Sequence, residues 1–164
     1  MAALTRNRSS ARSRRTRMAA ALAALSIGAA FAPAAMAGGA TIIRGDFAAF
    51  ATGIGQPITG RAQMVRSGDG KTIVSVHVEG LAASTTYGSH VHQQPCAVGE
   101  ADGHYKFDPT GPATPPNEIW PGFTTNDAGV GNGNATVAWT AGANAVSVVV
   151  HAPGGAKIAC ADLG

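Results

Sequence analysis

Beyond residue 37 this chain has no segment of convincing helical periodicity, no cluster of basic residues and no apolar run long enough to cross a bilayer. A spanning helix needs roughly 20 apolar residues, and that part of the chain offers none. Charged residues are scarce, at 13% of the sequence. Without a basic stripe there is no electrostatic footprint for nucleic acid. Cysteine is limited to Cys96 and Cys160.

The N-terminal stretch differs in kind. A basic run holds Arg6, Arg8, Arg12, Arg14, Arg15 and Arg17 and no acid; an apolar run follows from Met18 to about Phe31, then a small-residue exit, Ala35-Met36-Ala37. This is the layout of a secretory signal peptide, removed after Ala37, and its apolar run is too short to span a membrane. The expected mature domain is therefore residues 38–164. Taking those six arginines from the twelve basic residues leaves six against nine acids, a net of −3, so the chain's formal +3 belongs to the leader. A domain of this size buries roughly two thirds of the surface its unfolded chain exposes. In an exported chain an even pair of cysteines reads as a disulfide, set against free thiols or a metal site. Cys96 and Cys160 stand 160 − 96 = 64 positions apart; in the chain-entropy model such a link stabilises by ~4 kcal/mol.

Short β-rich runs alternate with turn clusters. "ITGRAQMVR", "SGDGK" and "TIVSVHVEGL" read as a hairpin, because Asp69-Gly70 suits the positive φ of tight turns. Val74, Val76 and Val78 share one face of the second strand; Ile73, Ser75 and His77 share the other, as a half-buried strand requires. "NATVAWTA" and "NAVSVVVHA" give a second pair, and "TIIRGDFAAFA" an early strand. Such strands with Gly, Asn, Asp and Pro turns predict an all-β fold, an antiparallel sandwich or barrel. Residues 93–127 break the rhythm, and a connection of that length in a compact domain is functional or disordered. With a cysteine, a histidine, carboxylates, Tyr105 and Trp120, it is expected to be an ordered functional loop.

Four histidines draw the eye. His90 and His92 stand one residue apart in "YGSHVHQQPC". In an extended strand such residues share a face, ~6.5 Å apart, so both can reach one copper or zinc ion. Two exposed strand histidines look the same from sequence. His104 follows in "DGHYKFDP" and His151 ends the apolar run "VSVVVH". His77, mid-strand opposite the valine face, is expected to be a surface histidine. Trp120 and Trp139 are expected to be core or loop anchors.

In order, "GSHVHQQPC", "GHYKFDP", "VVVHAPGG" and "KIAC" resemble the copper-zinc superoxide dismutase family, and the resemblance runs through essentially all of residues 38–164. It implies an eight-stranded Greek-key β-sandwich or barrel with long functional loops. It also implies copper ligands at His90, His92, His104 and His151, and a disulfide between Cys96 and Cys160. The zinc half of the family's site has no counterpart here: after His104 no histidine occurs until His151, and "PPNEIWPGFTTND" stands between. The resemblance is thus to the zinc-less, copper-only branch, with one copper per chain. A bridging histidine without zinc still needs its second nitrogen held; Glu118 is the first candidate and Asp108, before Pro109, the second. Lys157 stands where the family has an arginine beside the metal, keeping the charge but losing the forked donor geometry.

The implied function is copper-dependent disproportionation of superoxide to oxygen and hydrogen peroxide, outside the cytoplasm, secreted or at the cell envelope. In that scheme His104 lets go of the metal and carries a proton to the departing peroxide, and Lys157 steers the anion. The alternative is an exported copper-holding protein with the same ligands and little turnover.

Overall fold

The computed structural model describes residues 39–164. The expected signal peptide and its cleavage after Ala37 lie outside the described residues. Among those residues regular structure is almost wholly strand, in two antiparallel sheets. Strands β1 (Thr41–Asp46), β3 (Thr59–Arg66), β4 (Thr72–Glu79) and β7 (Gly131–Val137) form a four-stranded sheet in the order β1-β3-β4-β7. Strands β2 (Ala48–Ala49), β9 (Lys157–Asp162), β8 (Ser147–His151), β5 (Thr86–His92) and β6 (Phe123–Thr124) form a five-stranded sheet in the order β2-β9-β8-β5-β6. The architecture is the expected all-β sandwich, open rather than closed into a barrel. Pairings between strands distant in sequence, β7 beside β4 and β8 beside β5, are those a Greek-key order produces.

Alternation decides which residues meet between the sheets. Val74, Val76 and Val78 are buried, while Ser75 and His77 face out. From the opposing sheet Val91, Val148 and Val150 join them, with Met64, Ile119, Ile158 and Phe123 completing the core. Each fully buried aliphatic side chain of this kind contributes ~1.5–3 kcal/mol. The β3–β4 hairpin has the expected turn: Gly70 takes φ 86°, Ser67 N donates to Lys71 O at 2.8 Å, and Arg66 pairs with Thr72.

Two late runs do not pair with each other. β7 joins β4 and β8 joins β5 and β9, so "NATVAWTA" and "NAVSVVVHA" supply strands to opposite sheets. The cause lies in residues 138–146. Arg66 donates to the carbonyls of Ala141 (2.8 Å) and Gly142 (3.0 Å), and Thr72 Oγ1 donates to Trp139 O at 2.8 Å. Within that connection Ala141 and Ala145 are buried. The two Arg66 bonds are charge-assisted and contribute ~1.5–3 kcal/mol each, the neutral Thr72 bond ~0.5–1.5, and together they hold the crossover where a tight hairpin would otherwise fold back.

The loop after β5 is ordered. Val91 N donates to Ile119 O at 3.0 Å, and Tyr105 N donates to Val91 O at 2.9 Å, so the loop completes the edge of β5 left free by the short β6. Tyr105 is buried, as an anchor should be. A disulfide joins Cys96 to Cys160. Ala101, Val149 and Cys160 form a small buried cluster with Cys96 and Phe50 packed against it, apart from the main core. The loop is therefore stapled over the outer face of the five-stranded sheet.

Candidate metal centre

On β5 the period of two turns Tyr87, Ser89 and Val91 toward the core and sets His90 and His92 on the outer face, under the stapled loop. His104 comes from the loop, paired with His92 through an isolated β-bridge. His151 ends β8, opposite Gly88, where the β8–β9 register shifts. Gly88 leaves room between two of these rings. A Cβ there would lie 3.6 Å from His151 Cβ and 3.7 Å from His90 Nε2, so a longer side chain would enter the space the rings face.

All four expected ligands come together. One nitrogen from each of His90, His92, His104 and His151 lies within 4.8 Å of the others. Hydrogen bonds show which nitrogen is free. His92 Nδ1 is bonded to the carbonyl of Ala101. His151 Nδ1 lies 3.1 Å from Gly155 O, and His104 Nδ1 lies 2.7 Å from Glu118 Oε2. Since the carbonyls and the carboxylate accept, each of these Nδ1 atoms carries the proton. That leaves Nε2 of all three with a lone pair. Nε2 of His92 and of His151, and Nδ1 of His90, are buried without any partner. A buried polar atom left so costs ~1–3 kcal/mol, and three in one place call for a ligand that accepts lone pairs.

The electrostatics agree. Burial pushes His90 and His92 down to about 3, and the neighbouring imidazoles add to the effect; for His92 the bond to Ala101 works against it. His151 is lowered by burial first, then by its neighbours His104 and Lys157. His90, His92 and His151 are therefore neutral at neutral pH, the state in which imidazole binds metal. A cluster of neutral, desolvated imidazoles with converging lone pairs can hold a metal ion, and its donor set suits copper, zinc and other late transition metals rather than calcium or magnesium.

The residues expected around the ligands divide. Glu118 is buried (1% exposed) and takes the place beside His104. Asp108 does not. Its Oδ1 accepts from Thr110 N at 2.9 Å and Thr110 Oγ1 at 2.7 Å, closing its own turn before and after Pro109. Asp108 reaches the site only through its backbone, which is clasped by Asn117, the residue before Glu118: Asp108 N donates to Asn117 Oδ1 at 2.7 Å and Asn117 Nδ2 to Asp108 O at 2.9 Å. Lys157 sits opposite His151 in the β8–β9 register, and its Nζ donates to Glu100 O at 2.9 Å. Glu100 and Ala101 have φ of 53° and 56°. The same left-handed turn thus offers one carbonyl to Lys157 and the next to His92.

His77 lies away from the cluster, exposed, with Asn132 Oδ1 at 2.9 Å and Glu79 Oε1 at 3.0 Å. Trp139 is 48% exposed and packs edge-on to Phe107 rather than anchoring the core. Of the two alternatives expected for Trp120, core or loop anchor, the loop is where it acts. It is 38% exposed, its ring centroid lies 5.0 Å from that of His90, and its Nε1 donates to Glu118 Oε2 at 2.7 Å. The signal available was its closeness in sequence to Glu118, two residues before it in "NEIW".

No protein-family model matches the chain, and no curated protein matches it.

Proposed function

We propose that this protein is an exported, copper-dependent superoxide dismutase with one metal per chain, of the zinc-less kind. The observation that carries the reading is the set of three buried, unpartnered imidazole nitrogens beside a fourth imidazole oriented by Glu118. Four nitrogen donors suit copper, and late in the divalent series copper binds such sites most tightly. Support for a single metal comes from His104 itself: the nitrogen that could reach a second ion is occupied by Glu118 Oε2 at 2.7 Å. The Cys96–Cys160 disulfide fits an oxidising, extracytoplasmic compartment. Among the described residues no helix is long and apolar enough to cross a membrane.

His90, His92, His104 and His151 would hold the copper. Bound copper supplies the one-electron couple that converts one superoxide to oxygen and the next to hydrogen peroxide. The chain's residues do the rest. Ala101 O and Gly155 O fix the orientation of His92 and His151. His104, half-exposed at 29% of its side chain, is the imidazole best placed to take a proton from solvent at Nε2 and pass it to a departing peroxide, with Glu118 stabilising the ring's positive charge. Lys157 attracts the anionic substrate in a domain that is otherwise net negative beyond residue 37.

One observation favours a second reading, a copper-holding protein with little turnover. The Lys157 ammonium is bonded to Glu100 O, and its point charge cannot offer the two parallel donors of a guanidinium. The His104→Ala protein separates the two. With free copper masked by a chelator, the enzyme reading expects a variant that still binds copper but loses dismutation per bound copper. Equal turnover in the variant and the native protein, both at the level of buffer, would leave only the holding role.

A further inference from the structure

We infer that Trp120 is a positioning residue of the metal centre: its indole N–H fixes the carboxylate that orients His104, while its ring braces His90. This rests on the reading of the four histidines as a metal site and concerns how that site is held in shape. Glu118 Oε2 accepts two hydrogen bonds, from His104 Nδ1 and from Trp120 Nε1, each at 2.7 Å. Glu118 Oε1 is buried with no partner at all. A carboxylate with both donors on one oxygen and none on the other has an obvious alternative rotation, in which the oxygens exchange places or the group swings toward the empty side. Two donors converging on Oε2 from different directions oppose that rotation; His104 alone would follow the carboxylate wherever it turned. An indole N–H is donor only, so it also keeps Oε2 an acceptor and His104 protonated at Nδ1, which leaves Nε2 free for the ion.

The same ring reaches the opposite side of the ligand set. Its centroid lies 5.0 Å from that of His90 at an interplanar angle of 47°, and His90 is the histidine whose Nδ1 is the unpartnered nitrogen. His92 and His151 have carbonyls to hold their second nitrogens, and His104 has Glu118. The structure records no such bond for His90, whose ring rests on Trp120 and the other imidazoles. One side chain therefore supports the two ligands that the sheet and loop backbones do not.

The test reads exchange and affinity, not turnover, on the protein expressed from its full sequence. In the metal-free native protein, proton NMR should show the Trp120 indole N–H exchanging at least about tenfold more slowly than that of Trp139. The two rings are comparably exposed, at 38% and 48%, so exposure alone predicts no such gap. Equal exchange would overturn the inference without any variant. Trp120→Phe keeps the ring and removes the donor. Its His104 Nδ1 proton should exchange at least about tenfold faster, and its Cu(II) dissociation constant should rise about 10–100-fold, the usual effect of losing an outer partner. Trp120→Ala should weaken copper binding further, because the brace on His90 goes as well. A Phe variant with native His104 exchange and native copper affinity would refute the positioning role. Native protein that binds copper tightly yet does not dismute superoxide would end the enzyme reading and leave this one standing.

Discussion

His104 Nδ1 lies 2.7 Å from Glu118 Oε2, and that contact decides which nitrogen of the loop histidine is free to bind. The carboxylate is buried, so the pair has little water to compete with it. Glu118→Gln keeps the shape but can present either a carbonyl or an amide to His104, and Glu118→Ala removes the partner outright. Copper affinity should fall about 10–100-fold in Glu118→Ala and less in Glu118→Gln, measured by competition against a chelator of known affinity. Native affinity in the alanine variant would mean that His104 is held by something else.

Acid should destabilise the metal-free protein. His90 and His92 have pKa values lowered to about 3, from an ordinary 6.5, and His151 is lowered too. The folded state thus resists protonation that the unfolded chain accepts. The contribution of His90 and His92 is complete above pH ~6.5 and is lost as pH falls from there toward about 3, by less than the unscreened ~1.4 kcal/mol per pH unit for each of the two because solvent reaches the site; that of His151 is lost in the same direction. His77 opposes this weakly, because its pKa is raised by Asn132 and Glu79 at an exposed site. Urea unfolding midpoints should drop clearly between pH 7.5 and 5, a range above that in which Asp69, lowered to about 2, titrates. Midpoints that rise or stay level would contradict the neutral cluster.

The disulfide closes 64 residues of chain and anchors the loop that carries His104 and the Ala101 carbonyl. Replacing Cys96 and Cys160 by serine should cost about 2–5 kcal/mol in unfolding free energy and weaken copper binding, since the turn at 100–101 loses its staple. Calorimetry with and without metal checks both parts. An unchanged Tm would show that packing of Ala101 on Val149 suffices.

Lys157 is the expected attractor of the anion. Lys157→Gln should lower the rate of superoxide decay about tenfold and flatten its dependence on ionic strength. Lys157→Arg should keep both. A rate insensitive to the neutral substitution would reduce Lys157 to a strut for Glu100 O.

The grouping of the histidines was legible because it depends on local regularities: alternation puts His90 and His92 on one face, and His151 ends a strand directly after three valines. The β3–β4 hairpin was legible for the same reason, a local turn around Gly70. Which sheet each late strand joins was not, because that depends on Arg66 reaching across to carbonyls 75 and more residues away. The sequence ranked Glu118 ahead of Asp108 but could not show what separates them. Both sit in one loop, and the choice rests on how Asn117 clasps the Asp108 backbone and turns Glu118 inward. Whether Trp120 anchors core or loop was not legible for a related reason. A large aromatic in a loop ordinarily buries itself, but here the indole N–H has a buried carboxylate to serve, and the ring stays at the rim.

The central claim is tested most directly by following superoxide decay while copper is added stepwise to the metal-free protein, with excess copper masked by a chelator. The account predicts a decay rate that climbs linearly and breaks at one copper per chain. A rate that stays at the level of chelated copper at every ratio would contradict it.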